Sequence, residues 1–171
     1  MSPQHNGRVS GHSRVTVRRV RADDAEEFVA LSGASRSLHH GWVSPPTSAE
    51  AFEDYVGRFD GVTAVGLVVC VSDTGRLAGF VNLRGIVRGD EHRATIGFGG
   101  FAATAGRGYM RDGVRLGLGY AFTLLALDRV EADIQHGNEA CLKLAAEVGF
   151  QRDRATVTRI HVGGLWRDHE R

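Results

Sequence analysis

From Phe98 to Met110 the chain reads Phe-Gly-Gly-Phe-Ala-Ala-Thr-Ala-Gly-Arg-Gly-Tyr-Met. A β-patterned run leads into this stretch and a helical pattern leads out of it, so it joins a strand to a helix. Glycine at 106 and 108 lets the backbone turn tightly and bring its N–H groups close to a ligand. The free N–H groups and the dipole at a helix start attract phosphate. A dinucleotide fingerprint fails, because Arg111 stands where the third glycine belongs. The junction therefore asks for a sheet with a helix packed on it. At the seam it offers either an anion site or a plain glycine turn.

The flanking patterns supply the rest of the architecture. Val15, Val17 and Val20 alternate in a strand over Arg14–Val20, and Ala22–Ser35 reads as a helix with Asp23 or Asp24 as cap and Phe28, Leu31 and Ser32 at helical spacing. His39–Pro46 reads as a loop containing Trp42. Thr47 or Ser48 caps a second helix through Asp60, with Phe52, Val56 and Phe59 on one face. Thr63–Val71 is apolar and β-branched, as in a strand buried on both faces. The turn Asp73-Thr74-Gly75 and the connection at Gly89-Asp90 link it to strands over Leu77–Val87 and Arg93–Phe101, and connections this short make the three antiparallel. A helix over Gly108–Ala126 buries Val114, Leu118, Ala121, Phe122 and Leu125. Val130, Ala132 and Ile134 alternate with Glu131, Asp133 and Gln135 in a half-buried strand. Asn138 caps a helix that Gly149 ends, and strands over Ala155–His161 and Gly164–Arg171 close the chain. The order predicts an α/β (α+β) fold with a mixed, largely antiparallel central sheet of six to seven strands and about four helices. One domain spans residues 14–171, after a polar tail of 13 residues expected to be disordered.

Composition removes several chemistries. The chain has 171 residues, 42% of them apolar, which suits one globular domain. A net charge of +1 argues against a nucleic-acid binder. Twenty arginines accompany a single lysine, Lys143, which lies in Cys-Leu-Lys-Leu-Ala and not in a phosphate loop. That leaves little room for P-loop hydrolysis or Schiff-base chemistry. Cys70 and Cys141 make no disulfide framework, although a single bridge between them stays open. His136-x4-Cys141 lacks the further ligands zinc needs, so no metal is expected. No apolar run suits a membrane helix, and the polar start has no signal core, so a cytoplasmic protein is expected. The cluster Arg18, Arg19 and Arg21 reads as a solvated face.

Several motifs together resemble the GNAT N-acetyltransferases, and within them the ribosomal-protein N-terminal acetyltransferase (RimJ/RimL-like) branch. They are Gly106-Arg107-Gly108-Tyr109-Met110, Tyr120-Ala121-Phe122, Leu127-Asp128-Arg129-Val130-Glu131-Ala132, Asn138-Glu139-Ala140-Cys141 and Val148-Gly149-Phe150, with Leu77–Leu83 and Trp166-Arg167-Asp168-His169 beside them. The resemblance implies acetyl-coenzyme A as donor. Its pyrophosphate would lie on backbone N–H groups of Gly106, Arg107, Gly108, Tyr109 and Met110, and its pantetheine in a splay between the strand ending near Phe101 and Val130–Gln135. Asn138 is carried over as a further cofactor-side residue, and Lys143 is either a contact to the 3′-phosphate or a solvated helix residue. Ala103 stands where the wider family often places Gln or Arg, so backbone contacts carry more of the load. Gly97, Gly99 and Gly100 suit a bulge or a close backbone approach. Gly113 suits close packing under the cofactor, and Gly117 and Gly119 have no account from sequence. The chain stops soon after Trp166-Arg167-Asp168-His169, where members usually continue with apolar residues, so a short last strand is expected.

Acetyl transfer to an amine needs a neutral amine, a stabilised oxyanion and a proton for the departing thiolate. By resemblance the oxyanion donor is a backbone N–H on a bulged strand, near Phe101. The Tyr that many members use as acid is replaced by Ala145, while Cys141 occupies the branch's Ser position. Cys141 is either the general acid, its pKa lowered by the helix start, or a small residue packing against the cofactor. Glu91, His92, His136, His161 and Asp168 are all open as base, and a water relay would dispense with one. Trp42, His136 and Asp168 are candidates for contacting the acceptor, with Trp42 and His39-His40 in the region where members bind it; Trp42 serves equally well as a hydrophobic anchor. The expected activity is acetyl transfer to a primary amine, best a protein α-amino terminus. A small amine such as an antibiotic or polyamine is the alternative acceptor, and a non-catalytic acyl-coenzyme A-binding module is the rival of another class. A homodimer is compatible with the reading.

Overall fold

The computed structural model describes residues 13–153, 157–162 and 165–171. Of the 13-residue tail expected to be disordered, residues 1–12 lie outside the described residues, as do Ala155, Thr156 and Gly164 of the last two expected strands. Strands β1 (Val15–Arg19), β2 (Val65–Val71), β3 (Leu77–Val87), β4 (Arg93–Gly100) and β5 (Arg129–Ala132) form one sheet in the order β1-β2-β3-β4-β5. The first four are antiparallel neighbours and β5 runs parallel to β4. Strands β6 (Ile134–Gln135), β7 (Val157–Val162) and β8 (Leu165–Glu170) form a second sheet in the order β6-β8-β7. The expected class holds, with the strands divided between two sheets. The last strand is not short, since β8 pairs with β7 along its six residues.

Helices α1 (Ala25–Ala34), α2 (Arg36–His39) and α3 (Ala49–Gly57) lie against one face of the larger sheet, and α4 (Tyr109–Gly119) and α5 (Glu139–Val148) against the other. Strand β2 is buried on both sides, as its composition requires: Val65, Leu67 and Val69 join the core under α4 and α5, Val68 and Cys70 the aromatic core of Phe28, Phe52, Tyr55, Phe80 and Phe101. Ser48 caps α3 by accepting the Ala51 N–H. On that helix the buried pair is Phe52 and Tyr55, with Val56 and Phe59 half-buried. Tyr55 donates to the buried Asn82 Oδ1 at 2.8 Å, and burial pushes its phenol up to about 12. Residues 36–39, after the helix expected to end at Ser35 and reaching the start of the loop expected from His39, form the short helix α2. No helix among the described residues is long and apolar enough to cross a membrane.

Strand β5 was expected to continue through Gln135 with every second residue exposed. Instead it breaks at Asp133, and β6 leaves to pair with β8. Glu131 and Gln135 are buried. Glu131 tolerates burial because Arg129 at 2.7 Å and Arg171 at 3.4 Å bracket its carboxylate, while Arg171 also holds Asp133 at 2.9 Å. The parallel ladder stops at Ile96↔Ala132, so Gly97–Gly100 of β4 have no β5 partner.

Helix α4 lies close on the sheet because it lacks two side chains. A Cβ at Gly113 would come within 2.6 Å of Val69, and one at Gly117 within 2.8 Å of Val81. Gly113 thus serves packing on the strand. Nothing lies near a Cβ at Gly119, and its place has no structural account. After Gly119 the helix widens into a π turn over Tyr120–Leu124, with Leu125 N–H bonded to Tyr120 O. The wider turn rotates Phe122 off the buried face expected from a 3.6-residue period, leaving it 45% exposed. Gly117→Val should destabilise the fold by about 1–3 kcal/mol through overpacking, and Gly119→Ala should stabilise it by about 1 kcal/mol. Urea unfolding midpoints of the two variants check both.

Candidate active site

The turn after β4 is set by an approach that only glycine permits. Gly79 and Gly100 face each other across β3 and β4, and a Cβ at either would meet Met110, at 2.3 Å and 2.9 Å respectively. Met110, in the first turn of α4, fills the notch they leave. Gly99 likewise leaves room for the Phe80 ring. The β3–β4 ladder runs unshifted from Gly79↔Gly100 to Arg84↔Thr95, so the glycines serve close approach and not the expected bulge.

Gly106 and Gly108 have φ of +75° and +77°, the left-handed region that favours glycine. Gly108 is the N-cap of α4 and supplies no side-chain cap. The first intrahelical bond is Asp112 N–H to Gly108 O, so the N–H groups of Tyr109, Met110 and Arg111 have no helical acceptor. A cleft of about 570 Å³ opens beside them, lined by Gly100, Phe101, Gly106–Arg111, Arg14, Ala140, Lys143 and Leu144 among others. Arg14, Arg107, Arg111 and Lys143 bring four cations to it, against Glu147. The guanidinium nitrogens of Arg14 and Arg111 lie over Gly108, and Arg111 Nε is buried without a hydrogen-bond partner. Helix-start N–H groups and guanidiniums fit a diphosphate, while Asp112 holds Arg14 at 3.2 Å and Arg111 at 3.8 Å and Glu147 holds Arg111 at 3.9 Å.

The neighbouring strand end offers a different set of groups. The Phe101 N–H, the expected oxyanion donor, is committed to Ala78 O at 2.9 Å. That bond makes Gly79 and Gly100 a non-hydrogen-bonded pair, so the N–H groups of Gly100 and Phe98 turn away from β3 toward the side β5 has left. Helix α2 reaches this same strand end. His39, 5% exposed, places Nε2 2.7 Å from Gly100 O, and Ser35 Oγ accepts the Ala102 N–H at 2.9 Å. Sequence reading placed His39 near the acceptor but had no signal for this contact across 61 positions.

The other expected residues are dispersed. Asn138 caps α5 by accepting the Cys141 N–H at 3.3 Å. Cys141 is half-buried against the core, and burial pushes its thiol up, outweighing the Asn138 hydrogen bond that lowers it. The expected depression by the helix start is therefore overturned by desolvation. Cys141 and Asn138 do not line the cleft, whereas Lys143 does. Cys70 and Cys141 are both free. Trp42 follows α2, its N–H bonded to His39 O, and does not line the cleft. His136 is exposed and pairs with Glu170 at 2.8 Å, and its N–H reaches Asp168 O. Glu91 and His92 sit just before β4, about 26–30 Å from Gly100 at strand rise, and pair there with Arg93 and Asp128. That distance removes both as base at the Gly100 end. The side chain of His161 lies outside the described residues.

The parallel pair parts after four residues, and a cation-rich helix start lies beside the opening. The chain belongs to the GNAT acetyltransferases: residues 14–151 match the acetyltransferase (GNAT) domain. It is an N-acetyltransferase, and acetyl-coenzyme A is its donor. A probable N-acetyltransferase of Bacillus subtilis, YjcK, is 26% identical over 164 residues, covering 91% of each chain. The ribosomal-protein-S5-alanine acetyltransferase of Vibrio fischeri shares the fold with a TM-score of 0.81 at 20% identity, over 96% of this chain and 93% of that one. Spermidine N-acetyltransferase of Vibrio cholerae, solved with CoA and spermine, does so with a TM-score of 0.75 at 21% identity, over 92% of both chains. Alanine at Gly106 or Gly108 should weaken coenzyme A binding about tenfold in calorimetry, because the left-handed turn costs about 1–2 kcal/mol with a Cβ.

Proposed function

We propose that the chain acetylates a protein N-terminal α-amino group by direct attack within a ternary complex. The observation that carries this reading is the strand face that leads up to Gly100. There Gly97 is exposed with open space where a Cβ would be, and its neighbours are Asn82, Arg84 and Thr95. That strip offers room for an extended peptide, and Glu131, the one carboxylate in register with Thr95, is held by Arg129 and Arg171. The spermidine enzyme of Vibrio cholerae shares the fold, so a small amine is the reading to be displaced.

Acetyl-coenzyme A supplies a thioester carbonyl to the neutral amine. The backbone N–H groups from Gly106 to Met110 take the pyrophosphate, with Arg14, Arg107 and Arg111 around it, and Lys143 takes the 3′-phosphate. The Gly100 N–H replaces that of Phe101 as oxyanion donor, since the latter is spent on Ala78. Cys141 holds a proton at Sγ for the departing sulfur; its raised pKa keeps it a thiol at neutral pH. Asn138 orients the turn that carries Cys141. Trp42 contributes to the acceptor side, and His136 with Asp168 to its rim. The amine proton leaves through water.

Thiol release from acetyl-coenzyme A, measured over peptides with free α-amino groups and over polyamines and aminoglycosides, tests the acceptor. Peptides should turn over, and their N-blocked forms should not. Turnover confined to small amines overturns the acceptor assignment, and tight donor binding without any turnover overturns catalysis. Cys141→Ala should lower kcat about 10²-fold or more, as loss of a general acid does, while Cys141→Ser should retain most of it. Lys143→Glu should raise KM for acetyl-coenzyme A about tenfold, the order of one charge-assisted bond, and leave KM for the 3′-dephospho donor unchanged.

A further inference from the structure

The last four residues of β4 are paired on one edge only, because β5 parts company after Ile96↔Ala132. Three of those four are glycines, the residue with the greatest backbone freedom. A strand end built this way would not hold one N–H in a fixed direction. The structure adds a second clamp. Ser35 and His39 stand one helical turn apart, His39 N–H being bonded to Ser35 O. Ser35 takes the Ala102 N–H and His39 meets the Gly100 carbonyl, so the two bracket Phe101 from one side. From β3, Ala78 O takes the Phe101 N–H.

The His39 contact also fixes its tautomer. A carbonyl oxygen only accepts, so Nε2 carries the hydrogen. Nδ1 is buried with no hydrogen-bond partner, and the imidazole packs against the Phe80 and Phe101 rings, their centroids 6.4 Å and 6.3 Å from its own. An unpaired buried nitrogen among aromatic rings loses its water without a hydrogen bond in return. For stability alone an apolar side chain would fill the same space at less cost, so the ring's contribution lies in the bond to Gly100.

We propose that His39 is a positioning residue for acetyl transfer: its Nε2–H bond to the Gly100 carbonyl pins the end of β4 so that the Gly100 N–H points at the thioester carbonyl. The inference rests on the reading of Gly100 as oxyanion donor. It names a side chain on the acceptor-side helices as the group that aims a backbone donor on the cofactor side.

The test reads the carbonyl and not turnover alone. Infrared difference spectra of ¹³C-acetyl-labelled acetyl-coenzyme A bound to the wild type should show the thioester band at lower frequency than in solution. His39→Met should lose most of that displacement while its Kd for acetyl-coenzyme A stays within about threefold and its Tm is equal or higher. His39→Gln, whose amide N–H reaches to the same place, should keep the displacement. With a working acceptor, kcat should fall about 10²-fold for Met, the order of one oxyanion donor, and within about threefold for Gln. Imidazole ¹⁵N shifts of the unliganded wild type should show the Nε2–H tautomer, a readout independent of any variant's folding. A Met variant that keeps the shifted band, a Gln variant that loses it, or an Nδ1–H ring overturns the proposal. A wild type that binds acetyl-coenzyme A with no shifted band overturns the proposal and the Gly100 assignment together. A wild type that does not bind it overturns the donor reading itself.

Discussion

The site depends on how closely α4 approaches the sheet, and that is governed by atoms that are missing. Gly79 and Gly100 leave the notch that Met110 fills, and Gly113 and Gly117 let the helix backbone down onto Val69 and Val81. Each absent Cβ removes an obstacle of roughly one methyl group, and together they fix the height of the helix start beside the end of β4. A helix with side chains at those positions would ride higher on the sheet and carry its free N–H groups away from the strand's last residues. Gly113 and Gly117 cost helix propensity, about 1 kcal/mol each, and the contacts they allow offset this.

A second constraint comes from the break at Asp133. The ladder beside β4 ends at Ala132, and two residues on, β6 pairs with β8 in the second sheet. The opening therefore lies where the chain passes from one sheet to the other. The pairing of Glu131 and Asp133 with Arg171 fastens the point where the two sheets part. A carboxylate as buried as Glu131 is tolerable only with such partners.

Much of this was legible in the sequence because it is local. The caps Ser48 and Asn138, the stop at Gly149, the two-sided burial of β2 and the Gly106-x-Gly108 turn each depend on residues within a few positions. The misreadings share the opposite property. Phe122 was assigned to a buried face because one π turn breaks the 3.6-residue period without a marker in residue type. Glu131 was read as exposed because its partner Arg171 lies 40 positions away. Glu91 and His92 were eligible as bases until the topology placed them at the far end of β4. His39 was visible as a histidine in the right region, but its contact with Gly100 follows from packing α2 against the strand end. The Cys141 position could be read from its helix, whereas the dominance of burial over the helix start in setting its thiol could not.

Lys143 lines the cleft beside the donor's phosphate-binding turn, and it is the single lysine in the chain. Every other side-chain cation there is a guanidinium, which stays protonated and does not attack thioesters. An enzyme that handles activated acetyl groups is exposed to acylation of its own surface amines. By building its positive charge from arginine, this chain limits that self-damage among its side chains to one ammonium, at the wall of the cleft.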